Sequence, residues 1–267
     1  MLARVVTAAV AIPIVVAVLI APSLVPLQVL ITLAAAGCVI EFALAERGYA
    51  AIGGALALAA VAFSVWLAPR PLPDPIWLVA MLSPVVWAFF LPRGFRSVRQ
   101  FALPLFWVAA PFTVLVHLRA AEVGSTDADW PALPSLVLLL LICQWAGDTA
   151  AMLTGRSFGK HKVAPSISPS KTWEGSAANL AASLLVGWLL AGPLRESAGI
   201  GLVVGGVVGV FGQLGDFYQS AWKRSLGIKD SGAALPGHGG LLDRLDSLLL
   251  SAPMTAVFLE FFAKTVS

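Results

Sequence analysis

The stretch GDFYQSAWKRSLGIKDSGAALPGHGGLLDRLD, from Gly215 to Asp246, decides how the rest of the chain can be arranged. It begins inside an apolar helix at Asp216 and leaves that helix through Lys223 and Arg224. It then crosses a Gly- and Pro-rich loop and re-enters apolar sequence through Asp243 and Arg244. Only 12% of the 267 residues are charged, so this stretch holds an unusual share of the ionisable groups. Membrane anchoring needs no such segment, and the stretch therefore predicts a functional loop between two apolar helices.

The remaining sequence has the composition of an integral membrane protein. It is 59% hydrophobic with a mean hydropathy of +0.89, too apolar for a soluble domain of this size. We expect a single all-α, polytopic membrane domain over residues 1–267, with residues 1–131 mainly a scaffold and 132–267 carrying the catalytic helices and loops. Cys38 and Cys143 both lie in apolar runs, which disfavours a disulfide framework or a thiolate metal site.

Nine transmembrane helices are predicted from the lengths of the apolar runs, since crossing the hydrocarbon core takes about 20 apolar residues. The first is interpreted as a retained span and not as a cleaved signal peptide. The predicted helices lie near residues 5–21, 24–45, 49–68, 75–91, 101–118, 132–153, 174–194, 199–222 and 246–264.

The basic residues indicate an orientation. Of the 17 Lys and Arg residues, 13 fall on one alternating side of these helices, and cytoplasmic loops carry the excess of Lys and Arg. The N-terminus is therefore predicted to be cytoplasmic and the C-terminus outside. The loops 154–173 and 223–245 then share the cytoplasmic side, near Asp148 and Asp216. Membrane topology explains the isoelectric point of 9.1 better than nucleic-acid binding does, and we expect no nucleic-acid partner.

The residue types of the 215–246 stretch favour phosphate chemistry with a metal. Asp216 and Asp243 are hard oxygen ligands, and Mg²⁺ is usually bound by one or two carboxylates plus substrate phosphates. Lys and Arg side chains can hold further phosphate oxygens. Gly239 and Gly240 would let the backbone approach a ligand closely. His238 is compatible with a general base, a metal ligand or a loop residue, and a lone His does not predict a zinc site.

Asp216 follows a stripe of small residues on the eighth predicted helix. Gly201, Gly205 and Gly209 recur at four-residue spacing, and at about 100° per residue Asp216 falls on the same face. The carboxylate is therefore predicted to point into the bundle. A metal or substrate role is favoured over a structural hydrogen bond, because ionisable groups within spans are functional candidates. The stripe itself suits internal packing or a homodimer interface equally well.

Two further acids lie within predicted spans. Asp148 stands one turn after Gln144, and its residue pattern leaves an interhelical contact and a substrate or cation role equally open. Glu41 belongs to no recognisable pattern, so we interpret it as structural or interfacial.

The loop from Gly155 to Gly175 contains a candidate anion site. Ser168 followed by Pro169 predicts a helix start, with Ser as the N-cap and Pro at the first helical position. Free amides there, together with the Ser170 and Thr172 hydroxyls and Lys171, would bind an anion. The alternative is a basic loop that only fixes topology.

The run from Ser220 to Asp246 reads S-x2-K-R-x4-K-D-S-G-x3-P-G-H-G-G-x2-D-R-x-D, and it resembles the signature of the phosphatidate cytidylyltransferase family, the CDP-diacylglycerol synthases of membranes. The resemblance extends to the segment from Trp145 to Gly175. Gln219 departs from it, because relatives are expected to carry an acidic residue there, so no direct metal role is predicted for position 219.

What the resemblance implies is transfer of the cytidylyl group of CTP to phosphatidic acid at the cytoplasmic side of the inner membrane, giving CDP-diacylglycerol and pyrophosphate. The implied cofactor is Mg²⁺, with a second cation as an option. The implied catalytic residues are Asp216, Asp243, Lys223 and Arg224. The implied substrate-binding residues are Ser168, Lys171, Thr172, Lys229, Asp230, His238, Gly239, Gly240 and Arg244. The implied metal ligands are Asp216 and Asp243, with Asp148 and Asp246 as further candidates.

Three other functions are weighed against this one. A CTP-dependent kinase of polyprenols or similar lipids would release CDP instead of pyrophosphate. A CDP-alcohol phosphatidyltransferase is disfavoured because its D-G-x2-A-R…D-x3-D pattern is absent from the sequence. An ion-coupled transporter is disfavoured because the charges cluster at one predicted membrane face, without paired broken helices in two halves.

Overall fold

The computed structural model of the chain describes residues 2–46, 50–62, 65–66, 104–123, 135–233 and 239–266. These residues are mostly helical and group into two compact units. The first unit comprises Met1–Pro134 and Asp230–Leu245, and the second comprises Ser135–Lys229 and Asp246–Ser267. The helix predicted near 75–91 lies outside the described residues.

The first unit is built from apolar helices. Their bounds are α1 Leu2–Leu19, α2 Val25–Glu46, α3 Ala50–Ala62, a π-helical segment Pro104–Ala109 that leads into α4 Ala110–Val123, and the short α9 Leu242–Leu245. Large apolar side chains such as Phe42 of α2 and Phe112 of α4 are almost fully buried. Burial of such side chains is the main stabilising contribution in the interior of a helical unit.

The fourth helix of this unit extends further than the sequence indicated. Arg119 was expected in a loop, whereas it lies inside α4 and is buried. It forms an ion pair of 3.3 Å with Glu122 and donates a hydrogen bond of 3.3 Å to the carbonyl of Ala21. These partners make a buried Arg tolerable, which composition alone could not reveal.

The second unit contains the remaining helices and a small sheet. Their bounds are α5 Ser135–Ser157, β1 Lys162–Ala164, β2 Ser168–Thr172, α6 Trp173–Ala191, α7 Ala198–Val207, a π-helical segment Val208–Gly212, α8 Gln213–Ser225 and α10 Leu248–Val266.

The glycine stripe packs α7 against α6 within the second unit. A Cβ atom on Gly201 would collide with the carbonyl of Gly187, and one on Gly205 would collide with the carbonyl of Ser183. Small residues at such positions allow two helix backbones to approach closely. This contact supports internal packing as the role of the stripe.

Five described helical segments are long and apolar enough to cross a membrane, which confirms the prediction of a mostly helical chain with several apolar spans. The count of nine spans and the direction of the termini stay predictions. The five segments are Val25–Glu46, Leu136–Ser157, Trp173–Ala191, Ala198–Ser225 and Leu242–Phe262.

The all-α prediction is wrong for residues 162–172, where β1 and β2 form an antiparallel hairpin with Lys162 opposite Thr172. The predicted helix start at Ser168 is also wrong, because this residue lies in β2. The helix begins at Trp173, and the hydroxyl of Thr172 accepts the N-cap hydrogen bond from the amide of Gly175 at 3.2 Å. Thr is an effective N-cap, and Pro169 is tolerated because both strands of a two-stranded sheet are edges.

The predicted helix 199–222 is continuous but irregular. Residues 208–212 form a π-helical segment between α7 and α8, so the progression of about 100° per residue used to orient Asp216 does not hold across it. The helix then ends in a Schellman motif, in which Ile228 N–H bonds to the carbonyl of Lys223 and Gly227 adopts a φ of 72°.

Candidate active site

A cavity of about 330 Å³ lies within the second unit. Residues from α5, β2, α6 and α8 line it, together with Ser247 just before α10. Its polar lining consists of two carboxylates, two cations, four hydroxyls and two amides. These side chains belong to Asp148, Asp216, Arg156, Lys171, Ser170, Thr172, Ser176, Ser247, Asn179 and Gln213.

Lys171 and Asp216 meet in this cavity. The ammonium of Lys171 forms an ion pair with Oδ2 of Asp216 and stands 4.2 Å from the centre of the Phe217 ring. The other oxygen of Asp216 accepts a hydrogen bond of 3.3 Å from Ser220. Both members of the ion pair are partly exposed, at 23% and 31%, so solute can reach them. The structure thus brings together an acid and a cation that the sequence placed in separate segments.

The carboxylate of Asp148 is held by side-chain amides. Gln144 Nε2 donates to both of its oxygens at 3.1 Å, and Asn179 Nδ2 donates to Oδ1 at 3.2 Å. Gln144 is itself oriented by Ser251, whose hydroxyl donates to Oε1 at 3.5 Å. Asp148 is therefore fixed in direction while it remains accessible from the cavity. Helical spacing indicated the proximity of Gln144, whereas Asn179 was not predicted.

Asp246 also interacts electrostatically with the charged groups described above. It interacts with Asp216, Lys171 and Lys223, and Asp216 also interacts with Asp148. The backbone N–H of Ser247 donates a hydrogen bond of 2.8 Å to the Asp246 carboxylate. Three acids and two ammonium groups therefore influence one another inside the second unit.

The acids of this cluster suit a hard cation that also binds its substrate. Among the described residues, no group of three or more His, Cys, Asp and Glu side chains is arranged to hold a metal without further ligands. Mg²⁺ usually takes only one or two carboxylates and completes its coordination with water and phosphate oxygens. Asp148 and Asp216 both line the cavity and supply the right type of oxygen.

Two further cations, implied as catalytic residues by the sequence resemblance, lie on α8. Lys223 is buried, and its charge acts on Asp246. Arg224 donates hydrogen bonds to the carbonyl of Ile167 at 3.3 Å and to that of Ile228 at 2.9 Å. These bonds tie the end of α8 to the β1–β2 turn. Lys229, also predicted to bind substrate, is exposed.

The other motif residues belong to the first unit. Oδ2 of Asp243 accepts hydrogen bonds from the amides of Ser231 at 2.8 Å and Gly240 at 3.2 Å, and the residue is buried. Asp243 therefore joins the two sides of its own loop. Gly239 has a φ of 80°, which favours glycine. Asp230 and Arg244 are exposed, and His238 lies outside the described residues.

Glu41 of α2 accepts three hydrogen bonds from the described residues of this loop. Its Oε1 accepts a hydrogen bond of 2.7 Å from the amide of Leu241, and its Oε2 accepts bonds of 2.9 Å from the amide of Leu242 and the hydroxyl of Ser231. These contacts agree with the structural interpretation of Glu41, but no pattern in the sequence indicated the loop as its partner.

Several residues that line the cavity were not predicted from the sequence. Gln213 lies one turn before Asp216 and donates a hydrogen bond of 3.2 Å to the carbonyl of Ser176. Its spacing of three residues from Asp216 is the signal that could have identified it. Ser247 directly follows the predicted ligand Asp246, and helical spacing gives no signal for it.

Comparison with curated proteins gives partial alignments at substantial identity. The chain is 43% identical over 159 residues to the uncharacterized protein YnbB of Escherichia coli K12, covering 58% of this chain and 52% of that protein. It is 41% identical over 125 residues to a phosphatidate cytidylyltransferase of Staphylococcus saprophyticus, and 42% identical over 125 residues to one from Staphylococcus epidermidis. Each of these two alignments covers 46% of this chain and 48% of the relative, so the chain spans about half the length of the curated relatives it matches.

The model of the cytidylyltransferase family matches almost the whole chain, over residues 2–262. This match includes α5, the hairpin, α8 and the loop around Asp243, which are the segments that carry the candidate site. The chain therefore belongs to the cytidylyltransferase family.

Proposed function

We propose that this protein transfers the cytidylyl group of CTP to phosphatidic acid, forming CDP-diacylglycerol and pyrophosphate. The observation that carries the proposal is the Lys171–Asp216 ion pair, which faces the same cavity as Asp148 in a chain of the cytidylyltransferase family. Relatives named phosphatidate cytidylyltransferase support this choice of acceptor lipid.

The cavity supplies the groups that bind phosphate oxygens. Lys171 and Arg156 contribute positive charge, and Ser170 and Ser176 contribute hydroxyl donors. Arg can bind phosphate with two parallel hydrogen bonds, while Lys acts as a compact point charge. The amides of Asn179 and Gln213 also line the cavity and add neutral polar groups.

The chemical step needs positioning more than base catalysis. A phosphate oxygen of phosphatidic acid, already anionic, attacks the α-phosphorus of CTP. The bond from that phosphorus to the bridging oxygen of the β-phosphate breaks, and pyrophosphate leaves with the electron pair. Two polyanions must meet for this, and preorganised cations lower the barrier by offsetting their repulsion.

Mg²⁺ is the proposed cofactor. Asp216 and Asp148 would hold it from the second unit, with Asp246 as a further candidate, and Asp243 remains a predicted ligand from the sequence motif. When bound, Mg²⁺ supplies neutralisation of phosphate charge. Gln144 and Asn179 keep the Asp148 carboxylate turned toward the cavity, ready to serve as a ligand.

We place the protein in the inner membrane with the cavity on the cytoplasmic side, the N-terminus inside and the C-terminus outside, after nine spans. The unequal distribution of Lys and Arg supports this orientation. A bilayer location suits the acceptor, because its acyl chains stay in lipid while its headgroup meets a water-soluble nucleotide.

The test is an assay of purified protein in mixed micelles with CTP, Mg²⁺ and phosphatidic acid. We expect equal amounts of pyrophosphate and CDP-diacylglycerol, and neither product when phosphatidic acid is replaced by diacylglycerol. The matched control is Asp216→Asn protein that elutes as wild type in size-exclusion chromatography. Release of CDP together with a newly phosphorylated lipid would contradict the proposal and identify a kinase.

A further inference from the structure

Glu41 of α2 binds both sides of the glycine-rich loop in the first unit. We define the anchored loop as the described segments 230–233 and 239–244. The Glu41 carboxylate accepts three hydrogen bonds from it, from Ser231 Oγ, Leu241 N and Leu242 N, all between 2.7 and 2.9 Å. The residue is only 5% exposed, so these bonds replace water as its partners.

Two glycines of the loop are shaped around this carboxylate. A Cβ atom added to Gly240 would collide with Ser231 Oγ and with Oε2 of Glu41, and one added to Gly232 would lie 2.9 Å from Oε1. The separation is shorter than real Cβ atoms tolerate, and the carboxylate is fixed by its three bonds. Glycine at these positions is therefore explained by the close approach of Glu41.

Asp243 completes the arrangement from inside the loop. Its Oδ2 accepts the amides of Ser231 and Gly240, so Ser231 uses its backbone toward Asp243 and its side chain toward Glu41. Two buried carboxylates thus accept hydrogen bonds from donors on both sides of the loop. Asp243 belongs to the loop, whereas Glu41 lies on α2. Charged acceptors of backbone N–H groups form stronger hydrogen bonds than neutral ones.

We propose that Glu41 is a positioning residue for the transfer reaction, because it holds the anchored loop, which carries the sequence-predicted substrate-binding residues Asp230, Gly239 and Arg244, in one conformation. The expected effect of Glu41 on turnover rests on the proposed function. The anchoring of the loop by Glu41 rests on the hydrogen bonds alone. Glu41 lies outside the region that the sequence motif marks as functional, and it acts through the loop without touching the reacting atoms.

The first experiment measures the loop without using activity. Ala233 is exposed, whereas Cys38 and Cys143 are buried, so Ala233→Cys gives a single reactive thiol for a water-soluble maleimide. We expect Glu41→Gln to raise its labelling rate at least about threefold, because an amide offers one acceptor oxygen in place of two. The matched control is Gln28→Leu, which removes a hydrogen bond from the same helix to the carbonyl of Val65 and should leave labelling unchanged.

The second experiment is a double-mutant cycle on turnover. Gly240→Ala pushes a methyl group against Ser231 Oγ and the Glu41 carboxylate, which are bonded to each other, so it should lower kcat/KM as Glu41→Gln does, by about 10- to 100-fold as for other residues that orient functional groups. The double variant should lose little more than either single variant, because the two changes break one interaction. Ser231→Ala, which removes one of the three bonds, should have a smaller effect.

The outcomes separate anchoring from the proposed function. Faster labelling with reduced, non-additive turnover supports the inference. An unchanged labelling rate overturns it, and so does faster labelling with wild-type turnover. Absence of product from the wild-type protein would reject the proposed function, whereas the labelling rates would still decide whether Glu41 anchors the loop.

Discussion

The ammonium of Lys171, near the end of β2, forms an ion pair with the carboxylate of Asp216 on α8. The hairpin directs this lysine into the cavity, since β2 runs straight into α6 through the Thr172 cap. In this pair the ammonium of Lys171 compensates the negative charge of the Asp216 carboxylate. An incoming Mg²⁺–nucleotide complex would offer Asp216 the metal and Lys171 a phosphate.

Replacing Lys171 by Ala should reduce turnover strongly. The variant loses the phosphate-binding charge and leaves Asp216 without its cation, so we expect kcat/KM to fall by about 100-fold or more. Pyrophosphate release measures the effect. Lys162→Ala is the control, because Lys162 is an exposed cation of β1 that does not line the cavity. Equal losses in the two variants would indicate a general charge effect instead.

Replacing Asp216 by Asn should reduce product formation to a small residual rate while the protein stays folded. The variant removes a charged oxygen ligand, so the Mg²⁺ concentration needed for half-maximal residual activity should also rise. A Mg²⁺ titration of turnover, with elution in size-exclusion chromatography as the folding check, tests this. Glu196→Gln, a carboxylate outside the cavity lining, should behave as wild type. Near-normal turnover of Asp216→Asn would remove Asp216 from the metal site.

Replacing Gln144 by Leu should misorient Asp148. The two amide hydrogen bonds to the carboxylate disappear, and we expect turnover to fall by about 10- to 100-fold. Ser251→Ala removes only the weaker contact behind Gln144 and should have a smaller effect. Kinetics of both variants at saturating CTP provide the comparison. A larger loss in Ser251→Ala than in Gln144→Leu would contradict this order.

Thr172 is expected to contribute mainly as a helix cap. Thr172→Ala should lower the free energy of unfolding by about 1 kcal/mol, because the amide of Gly175 loses its acceptor. Thr172→Ser keeps the hydroxyl and should retain most of the stability. Thermal unfolding in detergent, followed by circular dichroism, distinguishes the two. Equal melting temperatures for the Thr172→Ala and Thr172→Ser variants would show that the N-cap hydrogen bond does not stabilise the protein.

Gly187 should tolerate no side chain. In Gly187→Ala the new methyl group meets the carbonyl of Gly201, so α6 and α7 must separate, at a cost of about 1–3 kcal/mol. Gly192→Ala is the matched control at the end of α6, because its Cβ would have open space and its backbone is right-handed. Melting temperatures in detergent should drop only for position 187. A stable Gly187→Ala protein would contradict the tight helix contact.

The apolar runs were sufficient to predict most described helices, because a chain in lipid must satisfy its backbone hydrogen bonds within each span. They could not predict the hairpin. Ser168 followed by Pro169 fits a helix start and an edge strand equally well, and Thr172 offers an N-cap four residues later. The strand pairing with Lys162 decides between them, and this is a non-local interaction.

The acids and cations of the site were predicted from local sequence, whereas most of the groups that orient them were not. Asp148, Lys171 and Asp216 stand out as charges in apolar or glycine-rich surroundings. The bond from Ser231 to Glu41 joins residues 190 positions apart, and no local pattern can reveal it. Asn179 likewise looks like an ordinary polar residue until the packing of α6 brings it against Asp148.

The π-helical segment Val208–Gly212 makes this helix tolerate a change of length at one point. A wide turn accommodates one residue more than an α-helix would, so deleting a single residue here should restore regular geometry and leave Asp216, Phe217 and Ser220 facing their present partners. A single deletion at 213–215, in the regular part of α8, would instead turn the same three residues by about 100° away from those partners. Natural variation in the length of this helix should therefore be confined to the wide turn.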